Sequence, residues 1–340
     1  MSRRASDAFV IDDALPFVAR THARVEAVKP TIGIGISTRD RWDDLQLTLA
    51  RLEQAGMHRC AAVLVIDDGS KQPVTAGLRE RFPWVHFERS EESRGYIAQR
   101  NRLARELGTT LYLSLDDDSF VESGDIEAAA EWLMQRPDVA AVCFSIIQGA
   151  DTVNVDTRTF QPAPIRFYIG CAHLVKRELF LELGGYREAL EHLCEEVQFA
   201  LAAARRDYRI WHYPYVVVRH LRSRAGRDHA RAQRLLTRND LYCAAMYFPW
   251  PYFVISALSC LPRKTGHPAH RRYWRFVLAG FVEALAALPR IWTWRDALTW
   301  SQMRQWRRCA HPLGAVELRT RVRADAAETS LPARVEPQPR

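Results

Sequence analysis

The seven cysteines of this chain, at positions 60, 143, 171, 194, 243, 260 and 309, form no CxxC pair. The odd count and the apolar neighbours of several predict reduced, buried thiols and speak against a disulfide scaffold. Zinc-ligand spacings are missing. There is no Walker A loop, which argues against a P-loop NTPase, and no GxSxG nucleophile elbow. The glycines at 33 and 35 lie inside a strand-like run rather than after it, so they make no dinucleotide fingerprint. Internal repeats are absent, and the arginine-rich stretch around 219–240 matches no nucleic-acid module, so no nucleic acid is expected as a partner. Residues 1–17 hold no apolar run long enough for a signal peptide, from which the expected location is cytoplasmic.

What is present is a chain of 340 residues, enough for a full core, with a formal net charge of +8. That balance favours anionic partners such as nucleotide phosphates or acidic lipid. Apolar runs at 31–36, 61–66, 84–87, 111–115 and 139–144 read as strands. Helical spacing over 41–52, 74–81, 98–107 and 127–135 places helices between them. The alternation predicts an α/β fold, a mostly parallel central sheet flanked by helices. Beyond 145 the rhythm changes. An extended 159–169, helices at 176–183 and 195–205, strands at 209–212 and 216–218, and a C-terminal helical extension are expected. The expected division is a leader or capping segment at 1–29 and a catalytic domain at 30–222. The domain splits at 145/146 into a nucleotide-binding half and an acceptor-side half. A helical extension at 223–320 and a disordered tail at 321–340 follow.

In an open parallel sheet, ligands sit beyond the carboxyl ends of the strands. Two predicted strands end in aspartates, one at Asp67-Asp68 and one at Asp116-Asp117-Asp118. Adjacent carboxylates repel, and a hard cation offsets that repulsion. Asp116 and Asp118 share a face if strand geometry persists, so the pair can hold Mn²⁺ or Mg²⁺. His220, after the VVV run, is a candidate third ligand. Thr38 and Arg39 follow the first strand on the same rim. Arg94 and Arg100 flank a glycine turn and helix start that suit phosphate or ribose. Glu195 and Glu196 open a helix, where one carboxylate can act as a general base. Each feature also has a plainer reading: a solvated turn, a surface arginine, a favourable first-turn acid.

The order of the motifs resembles a family 2 glycosyltransferase with the GT-A fold. The segments are IGISTRDR (34–41), VLVIDDGS (63–70), RGYIAQRN (94–101), LSLDDDS (113–119), IGCAHLVKRELFLELGGY (169–186), EEVQFALAAARRDYRIWHYP (195–214) and VVVRH (216–220). The resemblance implies a metal-dependent, inverting transferase that moves a sugar from a nucleoside-diphosphate sugar to an acceptor hydroxyl. Thr38 and Asp67 or Asp68 would bind base and ribose. Asp116 and Asp118 look like the DxD pair, with Asp117 in the variable middle. Gly170, Cys171, Gly185 and Tyr186 would border the acceptor. Glu196, with Glu195 as the alternative, would be the base, and His220 matches the histidine after the last core strand. Glu-Glu stands where the family has Glu-Asp, and Gln198 where it has Asp. The rival readings are a sugar-nucleotide-forming nucleotidyltransferase and a non-catalytic binding protein on the same fold.

Residues 222–231, rich in Arg, Gly and Ser, are expected to close over bound donor. Residues 241–262 carry no charged side chain but contain Pro249, Pro251 and Pro262. Their aromatics, with Arg263, Lys264, Arg271, Arg272 and Arg275 after them, predict peripheral attachment to an anionic membrane surface, on the inner face of the cell membrane. A lipid-linked or other carbohydrate acceptor would fit. Packing in the interior or a homodimer interface is the alternative use of this stretch.

Overall fold

The computed structural model describes residues 29–149, 160–221, 228–266 and 272–311. Nearly all of the expected leader, the 222–227 part of the expected closing segment and the tail from 321 lie outside the described residues.

The first half alternates as β1 (Ile32–Thr38), α1 (Trp42–Gln54), β2 (Ala61–Asp68), α2 (Ala76–Arg81), β3 (Val85–Ser90), α3 (Tyr96–Glu106) and β4 (Leu111–Asp116). Then come β5 (Ser119–Ser123), α4 (Ile126–Met134), β6 (Val139–Gln148), β7 (Ala163–Ile165), β8 (Ala172–Lys176), α5 (Arg177–Glu182), α6 (Glu195–Arg205) and β9 (Arg209–His220). Helices α7 (His229–Tyr247), α8 (Tyr252–Gly266), α9 (Trp274–Trp292) and α10 (Trp300–Arg308) follow. The strands form one sheet ordered β3-β2-β1-β4-β8-β6-β9-β5, with β7 against β9. The β3-β2-β1-β4 half is parallel throughout. Strand β8 runs antiparallel to both neighbours, and β9 runs parallel to β6.

The sequence explains the layers. Strand β1 is apolar on both faces because helices cover both. On one face α1 buries Leu45, Leu49 and Leu52, spaced four and three apart, in a core with α2 and α4. On the other face α3, α5 and α6 share a single apolar cluster with Leu241, Tyr242, Met246 and Tyr247 of α7 and Met303 of α10. Side-chain caps from Thr75, Asp125 and Thr299 start α2, α4 and α10.

Several expectations change. Strands β5 and β8 were not expected; each is short and sits among polar or turn residues. The two strands expected at 209–212 and 216–218 are one strand, β9. Pro214 is tolerated because the pairing with β6 shifts register between Cys143 and Ser145. Among the described residues of the extended 159–169 stretch, only β7 is regular. Pro249 and Pro251 lie between α7 and α8, whereas Pro262 lies inside α8. Tyr242 and Tyr247 belong to the core instead of a membrane-facing aromatic stretch.

One connection positions the site. Asp117-Asp118 alone joins β4 to β5, although β8, β6 and β9 separate those strands in the sheet order. Three peptide steps span about 11 Å at most. The sheet must therefore curl until its β5 edge meets the end of β4. Strand β5 pairs with β9 in the register Ser119↔His220, so the same curl carries His220 to the aspartates.

Candidate active site

Strands β1, β2, β4 and β9 all end on one side of the sheet, and their last residues build the site. Asp116, Asp118 and His220 each offer a ligand atom, all within 4.8 Å of one another. Ligand atoms about 2.1 Å from a single cation lie roughly 3–4 Å apart, so small side-chain adjustments would close this set around an ion. His220 Nε2 is 3.3 Å from Asp118 Oδ1, and His220 Nδ1 is buried without a hydrogen-bond partner. Two carboxylates and an imidazole with an uncommitted nitrogen fit a divalent metal.

Asp117 faces the other way. Thr38 Oγ1 donates to its Oδ2 at 2.8 Å, and Arg41 Nη1 lies 2.9 Å from its Oδ1. Burial pushes its carboxyl up to about 7, against the opposing pull of Arg41 and Thr38. Arg41 Nη2 is also 2.7 Å from Asp118 Oδ2. Burial disfavours the Arg41 charge, but Asp117 and Asp118 outweigh it and hold the guanidinium charged. Thr48 Oγ1 donates to the Asp117 carbonyl. The middle aspartate is thus an internal anchor that fixes its two neighbours. Arg41 was not singled out from sequence, although its position three residues past Thr38 is the signal that would have found it.

Asp67 and Asp68 lie beneath the rim. Asp67 accepts from the Ser70 amide at 2.8 Å and from Arg89 at 2.7 Å. Asp68 accepts from Ser93, the Arg94 and Gly95 amides and Gln99, at 2.6–3.0 Å. Both carboxylates are buried and supplied with donors, Asp68 fixing the turn at 93–95 and Asp67 holding Ser70 and Arg89. Thr38, spent on Asp117, is buried as well. Arg39 and Arg94 are exposed on the rim.

Arg100 is the central finding. It is buried, with Nη1 2.9 Å from Glu195 Oε1 and Nη2 2.5 Å from Asp116 Oδ1. The same Nη2 donates to the Gly170 carbonyl at 3.0 Å, and the guanidinium lies over the Tyr96 ring at 4.8 Å. Burial works against its charge, and Asp116 and Glu195 more than offset it. One side chain therefore connects the metal-site aspartates to the acidic pair.

Glu195 is buried, and its Oε2 has no hydrogen-bond partner. Burial raises its pKa while Arg100 opposes the rise. Glu196 is half-buried and packs against Gly170, where an added Cβ would come within 2.1 Å of Oε1. Its pKa is raised well above the usual carboxylate range, first by burial and then by the neighbouring Glu195 charge. The backbone before the pair is held in unusual conformations, with Leu193 and Cys194 at φ 69°. Asn239 of α7 secures it, donating to the carbonyls of Leu190, His192 and Leu193 at 2.8–2.9 Å. Arg238 adds bonds to Glu191 and to the Ala189 and Leu190 carbonyls.

The residues expected on the acceptor side divide. Gly170 lies at the site. The Cys171 carbonyl accepts from the Asp116 amide at 3.1 Å, which fixes the DxD backbone. Gly185 sits at φ 60° with Asn101 close by, and Tyr186 is enclosed in the core. The Tyr186 hydroxyl bonds Tyr168 and His173 at 2.7 and 2.8 Å, so Tyr186 supports the site from behind rather than touching an acceptor.

The family model for Glycosyl transferase family 2 matches residues 34–192. No curated protein sequence matches the chain. Among solved structures, the chain is similar to GalNAc-T7 with UDP, GalNAc and Mn²⁺, at 15% identity and a TM-score of 0.56, covering 77% of this chain and 57% of that one. It is also similar to the mannosyltransferase PcManGT from Pyrobaculum calidifontis in complex with GDP-Man and Mn²⁺. There the identity is 16% and the TM-score 0.52, covering 76% of this chain and 88% of that one. At such identities the likeness is one of fold. The chain spans just over half the length of the first of these.

Proposed function

Through residues 34–192 the chain belongs to glycosyl transferase family 2, and from that premise we propose that it transfers a sugar from a nucleoside-diphosphate sugar to an acceptor hydroxyl with inversion. The observation that carries this reading is the Asp116, Asp118 and His220 cluster, tied through Arg100 to the glutamate pair. The two similar structures hold UDP or GDP-Man together with Mn²⁺, which supports a nucleotide-sugar donor and a divalent ion here.

Asp116, Asp118 and His220 would hold the Mn²⁺ or Mg²⁺, with Asp117, Thr38 and Arg41 steadying the aspartate segment. When bound, the ion neutralises charge on the diphosphate. Arg39 and Arg94 are exposed for contact with donor phosphate or ribose, above a rim shaped by Asp67 and Asp68. Glu196 is the base. It is half-buried at Gly170, whereas Glu195 is enclosed and committed to Arg100. The acceptor O–H gives its proton to the Glu196 carboxylate as its oxygen bonds the anomeric carbon. The bond from that carbon to the diphosphate oxygen breaks in the same step. The raised pKa of Glu196 makes it a stronger base once ionised. Glu195 holds Arg100, which in turn keeps the base and the metal site in fixed relation.

The test is a panel of sugar nucleotides assayed for Mn²⁺-dependent binding and turnover, with Asp118→Asn beside Asp117→Asn. Asp118→Asn should abolish metal-dependent turnover by about 10²-fold or more with the fold intact. Its effect on metal affinity should exceed that of Asp117→Asn. Near wild-type turnover and metal affinity in Asp118→Asn would overturn the assignment.

A further inference from the structure

A helix on a protein surface normally turns its polar face to water. Helices α8 and α9 do the opposite. Ile255 and Leu258 of α8 are 56% and 75% exposed. Leu278, Val282, Leu285 and Trp292 of α9 are 37–55% exposed at steps of four, three and seven, a single stripe along the helix. The opposite face of α9, with Val277, Gly280, Ala284 and Ile291, is buried. Gly280 allows this close approach, since an added Cβ would strike the Arg234 carbonyl of α7 at 2.1 Å. Both helices pack on α7 and on each other, so their apolar stripes share one side of the molecule. Large apolar side chains exposed together on neighbouring helices mark an interaction site.

The charge around this face indicates the partner. Over residues 241–300 there are seven basic and two acidic side chains. Both acids are engaged internally, Glu283 with Arg234 and Asp296 with Arg205 and Arg206. Arg263, Arg272, Arg275 and Arg290 are exposed. Trp250, Phe253 and Trp292 meet edge-on or tilted at the end of the stripe, with ring centroids 5.4–6.1 Å apart. No helix among the described residues is long and apolar enough to cross a membrane. Apolar stripes with tryptophan at one end and arginines around them suit the headgroup boundary of an anionic bilayer, where apolar burial and lipid charge act together.

We propose that the outward face of α8 and α9 docks on an anionic phospholipid surface. Helix α7 carries these helices and also clamps residues 189–193 through Arg238 and Asn239. Helix α7 therefore links the docking face to the loop that precedes the glutamates. The docking itself stands apart from the catalytic reading.

The full chain is sedimented with vesicles of phosphatidylglycerol and phosphatidylcholine, and with phosphatidylcholine alone, and its size in solution is measured without vesicles. The expected result is binding to the anionic vesicles, weakened at least tenfold in Leu258→Glu/Leu285→Glu and in Arg272→Glu/Arg275→Glu. Unchanged thermal unfolding shows that these surface variants fold. Absence of wild-type binding to anionic vesicles, or binding unaffected by Leu258→Glu/Leu285→Glu, overturns the proposal. So does a wild-type dimer that the leucine variant converts to a monomer without vesicle binding, because the face would then join two copies of the chain. The readout needs no donor, so a failed transferase assay leaves it independent.

Discussion

Glu195 and Glu196 are neighbours in sequence with different surroundings, and their difference can be measured. A base must be ionised, so under the proposal that Glu196 is the base, turnover should rise with pH through its raised pKa. Glu195→Gln removes the like charge beside it while keeping an acceptor for Arg100. The acidic limb of kcat/KM should therefore move to lower pH, whereas Glu196→Gln should cut kcat by about 10²-fold or more with donor affinity little changed. A stationary limb in Glu195→Gln would show that the two charges do not interact. Gly170 is a second residue-scale case. No positive φ requires glycine there, but an added Cβ would displace the Glu196 carboxylate. Gly170→Ala should lose turnover, by up to about 10²-fold, because the proposed base must move and Arg100 Nη1, 3.0 Å from the added Cβ, must give as well. Glu196 was legible as a candidate because acidic residues opening an apolar helix stand out. The bond from Arg100 to Glu195 was not, since its partners lie 95 positions apart.

At the scale of elements, α7 is the part whose role the linear pattern hid. Its Asn239 side chain supplies a hydrogen-bond donor group to three loop carbonyls that precede the glutamates. Asn239→Ala should cost about 1–3 kcal/mol, the penalty for leaving buried carbonyls unpaired. A purely structural loss would end there. A positioning role predicts in addition a lower kcat at unchanged donor affinity, checked at a temperature where the variant is fully folded. In sequence the α7 region reads as an arginine-rich stretch within a helical extension, with residues 241–247 assigned to the uncharged run that follows. The clamp depends on which face meets a loop 46–49 residues earlier, and no local spacing encodes that.

For the whole molecule, one apolar cluster crosses the expected boundary at 222 between the catalytic domain and the extension. Leu241, Tyr242, Cys243, Met246 and Tyr247 share an apolar cluster with Phe180, Tyr186 and Phe199. Cutting at Asp240 would expose that cluster and remove the second half of α7. A chain ending there should be insoluble or lack a cooperative thermal transition, which expression and melting measurements would check. A soluble, cooperatively folding fragment with donor turnover would show that the extension is dispensable. The same continuity ties the lipid-docking face to the site through one helix.

The sequence by itself determined the strand–helix alternation, because buried parallel strands and half-buried helices have different hydrophobic periods. It also determined that aspartates end two strands, and hence that they meet at one side of a parallel sheet. Tertiary structure decided which of these aspartates are available. Asp117, Asp67 and Asp68 became internal anchors because Arg41, Arg89 and the 93–95 turn arrive from elsewhere in the chain. It decided that His220 joins Asp116 and Asp118, through the curl of the sheet and the register of β5 on β9. It also decided which face of α9 is exposed. Both faces of that helix are apolar, so only the close approach to α7 at Gly280 determined which was buried.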